Sequence, residues 1–159
     1  METLQIIGNN PSEACFRHIK KAILMGTDSQ MRNIAIRCLP NYDEKWSLPM
    51  LMSMVKDSGK LMKKDPNERK AIFAALGQMD VEKTNDYLKN ILDAKGGFLG
   101  KRGLDDLKVL AIGALENAPS TTALQWLVRV AQDKKKNNKE IRALANAAAL
   151  QIKSKLLNG

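Results

Sequence analysis

The chain has 159 residues, of which 44% are hydrophobic but only 4% aromatic. This length supports one ordinary domain, and a core rich in Ala, Leu, Ile and Met with few β-branched or aromatic runs excludes an extensive sheet. Net charge is +9, from 26 Lys and Arg against 17 Asp and Glu, an excess that favours anionic partners or a solubilising lysine-rich surface.

The first ten residues read as a tail or partial cap. Glu2 stands where a signal peptide needs basic residues, and no apolar run reaches membrane-spanning length, so a cytoplasmic protein without a membrane span is expected. Asn10-Pro11-Ser12-Glu13 has the form of a helix start, with a capping side chain, an early proline and an acid near the positive end of the dipole. It opens a helix over 11–25, paired with a second over 29–39. Ser47-Leu48-Pro49 starts a third over 47–57, and Asp65-Pro66-Asn67-Glu68 a fourth over 66–78. The next pair covers 82–93, with Leu88, Ile91 and Leu92 on one stripe, and 104–116. Ser120 caps a helix over 120–132, whose stripe is Leu124, Leu127, Val128 and Ala131, and an alanine-rich helix over 138–156 closes the series.

The second helix of each pair carries an echo. Arg32, Arg69, Lys108 and Arg142 open the four segments, a small or branched apolar residue follows three later, and Leu39, Leu76, Leu115 and Leu150 close them. The basic positions are 37, 39 and 34 residues apart, a period that indicates stacked repeats. Asp28, Asp57, Asp93 and Asp133 fall where the first helix of each pair ends. An acid there, followed by a basic residue early in the next helix, resembles the HEAT repeat of the armadillo-like class. The resemblance covers 11–156 and departs from the pattern at Lys108, where arginine is expected, and at Ile72, where the other echoes have alanine. It implies an all-α fold, a right-handed α-solenoid of about four HEAT-like hairpins and eight helices. Residues 11–159 then form a single domain, with repeats at about 11–40, 45–79, 82–117 and 120–156. It also implies that the acids and bases form a ladder between repeats. Arg37, Ala74, Gly113 and Ala147 share one place in the four echoes, and three of the four are small, which suggests close helix packing. The alanines of the last helix suggest an end onto which a second copy could stack.

Charge sorts by turn. The turns within pairs, 26–31, 56–67, 93–105 and 132–140, sum to +4, and those between pairs, 40–47, 78–86 and 116–121, sum to −4. In a stack of hairpins this makes one edge basic. Candidate partner-binding residues are Lys60, Lys63, Lys64, Lys95, Phe98, Lys101, Arg102, Lys134, Lys135, Lys136 and Lys139. Gly96 to Gly103 reads as a mobile loop that carries Phe98 and Leu99 beside Lys101 and Arg102.

Catalytic signatures are missing. His18 is the only histidine, Cys15 lies three residues before it, and nothing in the sequence orients or activates the pair. Cys15 and Cys38 lack metal-site spacing and read as two small buried thiols. No catalytic residue, metal or cofactor is expected. The reading these features favour is a scaffold or adaptor that holds a protein partner, acidic in character, through its groove and basic edge. The alternative is a nucleic-acid binder using the same edge on a phosphate backbone, although stacking aromatics are few. A third reading, a glycosylase- or lyase-like enzyme, requires a deep groove lined by Trp126 and an acid.

Overall fold

The computed structural model describes residues 11–95 and 100–158, the side chains at 100 and 101 excepted. The described residues form nine α-helices and no strand. They fall into two compact units, Met1–Met79 and Asp80–Gly159, and the division coincides with the end of the second expected repeat.

The first unit contains α1 (Glu13–Met25), α2 (Ser29–Cys38), a 3-10 turn (Leu39–Asn41), α3 (Glu44–Val55), a short α4 (Ser58–Met62) and α5 (Pro66–Met79). Its core is made where α2 packs on α5 and α1. The second unit contains α6 (Glu82–Asp93), α7 (Gly100–Asn117), α8 (Thr121–Gln132) and α9 (Lys139–Asn158). There α9 packs on α8 and α7, and α7 packs on α6.

All eight expected helices are present, with three corrections. α3 begins at Glu44 because the Asp43 carboxylate, not the Ser47 hydroxyl, caps it by accepting from Lys45 N at 3.0 Å. Ser47 is buried and donates to Asp43 O, which leaves Pro49 inside the helix. α7 begins at Gly100, so residues 100–103 of the expected loop are helical. α4 lies within a stretch read as a turn, capped by Asp57, which accepts from Lys60 N at 3.0 Å. At the chain's first described helix, Ser12 is the cap, accepting from Cys15 N.

The repeat is visible in the core. Counting from the basic residue, positions three and seven later are Ala35 and Leu39, Ile72 and Leu76, Ala111 and Leu115, and Ala145 and Ala149. All eight are buried. Leu150, read from sequence as the leucine closing the fourth echo, is one step further round the helix and is 61% exposed. The shared small positions are corrected at two places, Gly113 and Ala147, which do not sit in tight packing. A Cβ at Gly113 would meet nothing within 4 Å, Ala147 is exposed and Ala74 is half-buried. In α8 the buried stripe is Ala123, Leu127 and Val130, and Val128 points outward.

A further repeated device appears at the helix starts. Four residues before the basic position, Asp28, Asp65 and Asn138 each accept from backbone N–H groups of the first turn: Gln30 N at 2.7 Å, Asn67 N at 2.8 Å and Ile141 N at 2.9 Å. These bonds satisfy donors the helix leaves unpaired. Arg32 then turns back on the end of α1, donating to Gly26 O at 2.7 Å and Thr27 O at 3.2 Å. The Gly26 position is tight, since a Cβ there would lie 2.3 Å from Ala22 O and 3.3 Å from Arg32 Cγ.

The aspartates expected to form a ladder serve mainly as caps. The acid that joins two echoes is Glu68, buried in the first turn of α5. One oxygen accepts from Lys64 Nζ at 2.5 Å, and the other lies 3.4 Å from both Arg32 Nε and Nη2.

Candidate functional site

The best-defined surface lies in the second unit and is built outward from Lys108. This side chain is fully buried at the third echo. Its Nζ donates to Asn137 Oδ1 at 2.6 Å and to Lys136 O at 3.2 Å. Asn137, also buried, passes the link on by donating from Nδ2 to Val130 O at 3.1 Å. The cation thus acts on the carboxyl end of α8, where the helix dipole is negative. Burial lowers the Lys108 pKa from its ordinary value, and Asp105, Asp133 and Asp93 oppose that shift.

This anchor holds the segment 133–138 in a defined turn. Asp133 Oδ1 accepts from Lys135 N at 2.9 Å and Lys136 N at 3.0 Å. Partial desolvation of that carboxylate is outweighed by these two N–H groups, which hold its pKa below the usual value. Lys134, Lys135 and Lys136 therefore project from a fixed backbone, and all three are exposed, as is Lys139 in the first turn of α9.

The turn leads directly into a groove of about 460 Å³ between α7 and α9. Val109 and Leu144, 45% and 37% exposed, supply apolar surface beside Ile141. Arg102, Asp105, Asp106 and Glu140 supply charge, three acids to one base. Asn138 Nδ2 donates to Asp105 Oδ2 at 2.8 Å and so fastens the start of α9 to the start of α7 across the groove. Of the candidate residues only Arg102 lines the groove; Lys134, Lys135, Lys136 and Lys139 are exposed on the turn and first helical turn that precede its α9 wall. Lys95 is exposed just beyond α6. Phe98 and the Lys101 side chain lie outside the described residues.

In the first unit, Lys60 and Lys63 are exposed on α4 and its end. Lys64 is different: it is half-buried and committed to Glu68, so its charge is already balanced within the fold. Phe16, Tyr42 and Trp46 form an aromatic cluster, with Phe16 to Trp46 centroids 5.8 Å apart and Lys45 Nζ 4.8 Å from the Trp46 ring. Burial, with the neighbouring Cys15 and Cys38, pushes the Tyr42 phenol up to about 12. Cys15 and Cys38 are free thiols, half-buried where sequence suggested full burial, and burial pushes the Cys38 thiol up. His18 is exposed on α1.

The crevice beside Trp126, lined also by Asp93, Lys89 and Arg129, holds about 10 Å³. That is room for one water and not for a nucleobase. Among the described residues no three His, Cys, Asp or Glu side chains cluster as metal ligands, and no helix is long and apolar enough to cross a membrane.

The groove was not legible in the sequence, because its walls come from two helices, α7 and α9, that are separated in sequence by the whole of α8. The exposed lysines were legible as a charge run. No family model, curated protein or solved structure matches the chain.

Proposed function

We propose that this protein is a non-catalytic, cytoplasmic HEAT-like scaffold of about four helical hairpins, which binds an extended or helical segment of another protein on its second unit. The apolar anchor of that segment would rest on Val109, Leu144 and Ile141, and its acidic residues would meet Lys134, Lys135, Lys136 and Lys139. One observation carries this reading: exposed apolar side chains lie in a groove whose charges are of both signs. Such a surface matches the mixed chemistry of a polypeptide. A phosphate backbone entering the same groove would meet Asp105, Asp106 and Glu140 with Arg102 alone to offset them, which disfavours the nucleic-acid alternative. The rigid Asp133 turn favours binding too, because lysines on a fixed backbone lose less entropy when they dock.

The test is selection from a displayed random-peptide library. Peptides selected on the wild-type protein should combine an aliphatic or aromatic anchor with acidic residues. They should lose affinity by at least about tenfold on Leu144→Asp or Val109→Asp, as expected for losing an apolar anchor. Selected peptides that bind both variants as well as wild type would place the binding surface elsewhere and refute the proposal.

A further inference from the structure

The α7–α9 groove is polarised along its length. Asn138 Nδ2 donates to Asp105 Oδ2 where the two helices start, and Lys155 Nζ donates to Glu116 O at 3.2 Å where they end, so α7 and α9 run in the same direction. On the α7 wall Asp106 stands three residues before Val109, and on the α9 wall Glu140 stands four before Leu144. Both spacings put the two side chains on one helix face, one turn or about 5.4 Å apart. The groove therefore has a carboxylate end and an apolar end. Asp105 is engaged by Asn138 and lies in the field of the buried Lys108 ammonium. Asp106 and Glu140 are exposed, and among the described residues neither has a hydrogen bond or an ion pair. Arg102 stands one turn further out on α7 and pairs with neither. Among the described residues no three carboxylates are placed to hold a metal ion.

We infer that the carboxylate end of the groove takes an arginine side chain of the bound segment, next to the apolar anchor; this rests on the peptide-binding reading above and adds a charge-specific requirement to it. Complementarity selects the occupant. The groove holds three acids to one base, and with no metal-binding cluster the cation it takes is one carried on a chain. A guanidinium offers a planar set of donors that can meet carboxylates from two helices at once. Its aliphatic stem lies along Val109 and Leu144 while its head meets Asp106 and Glu140. Spacing follows from the one turn that separates the two ends. Arginine and anchor stand about two residues apart in an extended segment, or about three to four in a helical one. The lysines of the 134–139 segment precede the α9 wall at this same end. The acidic residues they attract therefore lie beyond the arginine, away from the anchor. The order along the segment is acid, arginine, apolar anchor.

The peptides selected on the wild-type protein test it in a double-mutant cycle. They should carry arginine, or lysine as a weaker substitute, at a fixed distance from the anchor. Asp106→Asn with Glu140→Gln keeps the shape of both exposed side chains and removes their charge, so helical circular dichroism should not change. Affinity for the selected peptides should fall about tenfold on this double variant. Peptides remade with glutamine for the arginine should bind wild type and double variant alike, which shows that the two losses are one interaction. A separate variant, Leu144→Ser, removes apolar wall without adding charge and reads the groove itself. Peptides that are lost on Leu144→Ser yet carry no basic residue, or bind the neutral double variant as tightly as wild type, would leave the groove as the binding surface and overturn this inference alone. Peptides indifferent to Leu144→Ser would overturn the groove reading and this inference with it.

Discussion

Lys108 shows how one residue can serve both the fold and the surface. Sequence reading treated it as a departure from arginine at the third echo, yet its slender, fully buried chain delivers a single ammonium to Asn137 and Lys136. Lys108→Met keeps the length and removes the donor, leaving the buried Asn137 oxygen unsatisfied. It should cost about 1–3 kcal/mol in urea unfolding. Gly113 makes the opposite case. It sits inside α7 with open space where a side chain would go, so Gly113→Ala should add about 0.5–1 kcal/mol by removing backbone freedom from the unfolded chain. The tyrosines set an alkaline limit. Burial raises both Tyr42 and Tyr87 to about 12, above an unfolded value of about 10. The folded state holds these protons more tightly, so the stabilisation is complete below about pH 10 and is lost as pH rises through about 12. Tyrosinate absorbance of the native protein should show no ionisation near pH 10, while the urea-unfolded chain should ionise there. Lys108 works in the other sense: its lowered folded pKa means the penalty for burying its charge is relieved as the solution becomes alkaline.

At the level of the helix, all four echo segments share a cation and two buried apolar positions, and three of them share a side-chain cap four residues before the cation. The apolar positions three and seven beyond the cation were legible in the first three echoes, where Ala or Ile and then Leu stand at them; in the fourth the sequence reading took Leu150, whereas Ala149 faces the core. Asp65 was legible because proline follows it. The joint between the first two echoes was not. Glu68 adjoins Arg69 in sequence, and only the packing of α2 on α5 turns it toward Arg32, 36 residues away. Glu68→Ala should therefore cost about 2 kcal/mol, because Arg32 and Lys64 lose the carboxylate that balances them in a partly buried site. Glu68→Gln should recover part of the loss, which thermal unfolding can measure. The small positions 113 and 147 were misread for a related reason: sequence cannot distinguish a residue that is small because a helix presses on it from one that faces open space.

At the scale of the whole molecule, charge pattern and groove tell different parts of the account. A run such as Lys134 to Lys136 announces an exposed basic turn in any fold, and the structure adds that Asp133 and Asn137 hold it still. The groove depends on α7 and α9 meeting, with Asn138 fastened to Asp105, and it brings carboxylates beside the basic turn. That mixture is why a polypeptide is the proposed partner. Replacing Lys134, Lys135 and Lys136 by glutamate should leave the helical circular dichroism unchanged, since all three are exposed, and should weaken acidic peptides selected on the wild-type protein. The most direct measurement is fluorescence anisotropy of labelled single- and double-stranded DNA and RNA over a salt series. A protein-binding groove predicts weak signals at low salt that do not distinguish wild type from the triple variant by more than a general charge effect. Tight binding with affinity falling steeply as salt rises, abolished in the triple variant, would contradict it and assign the basic turn to nucleic acid.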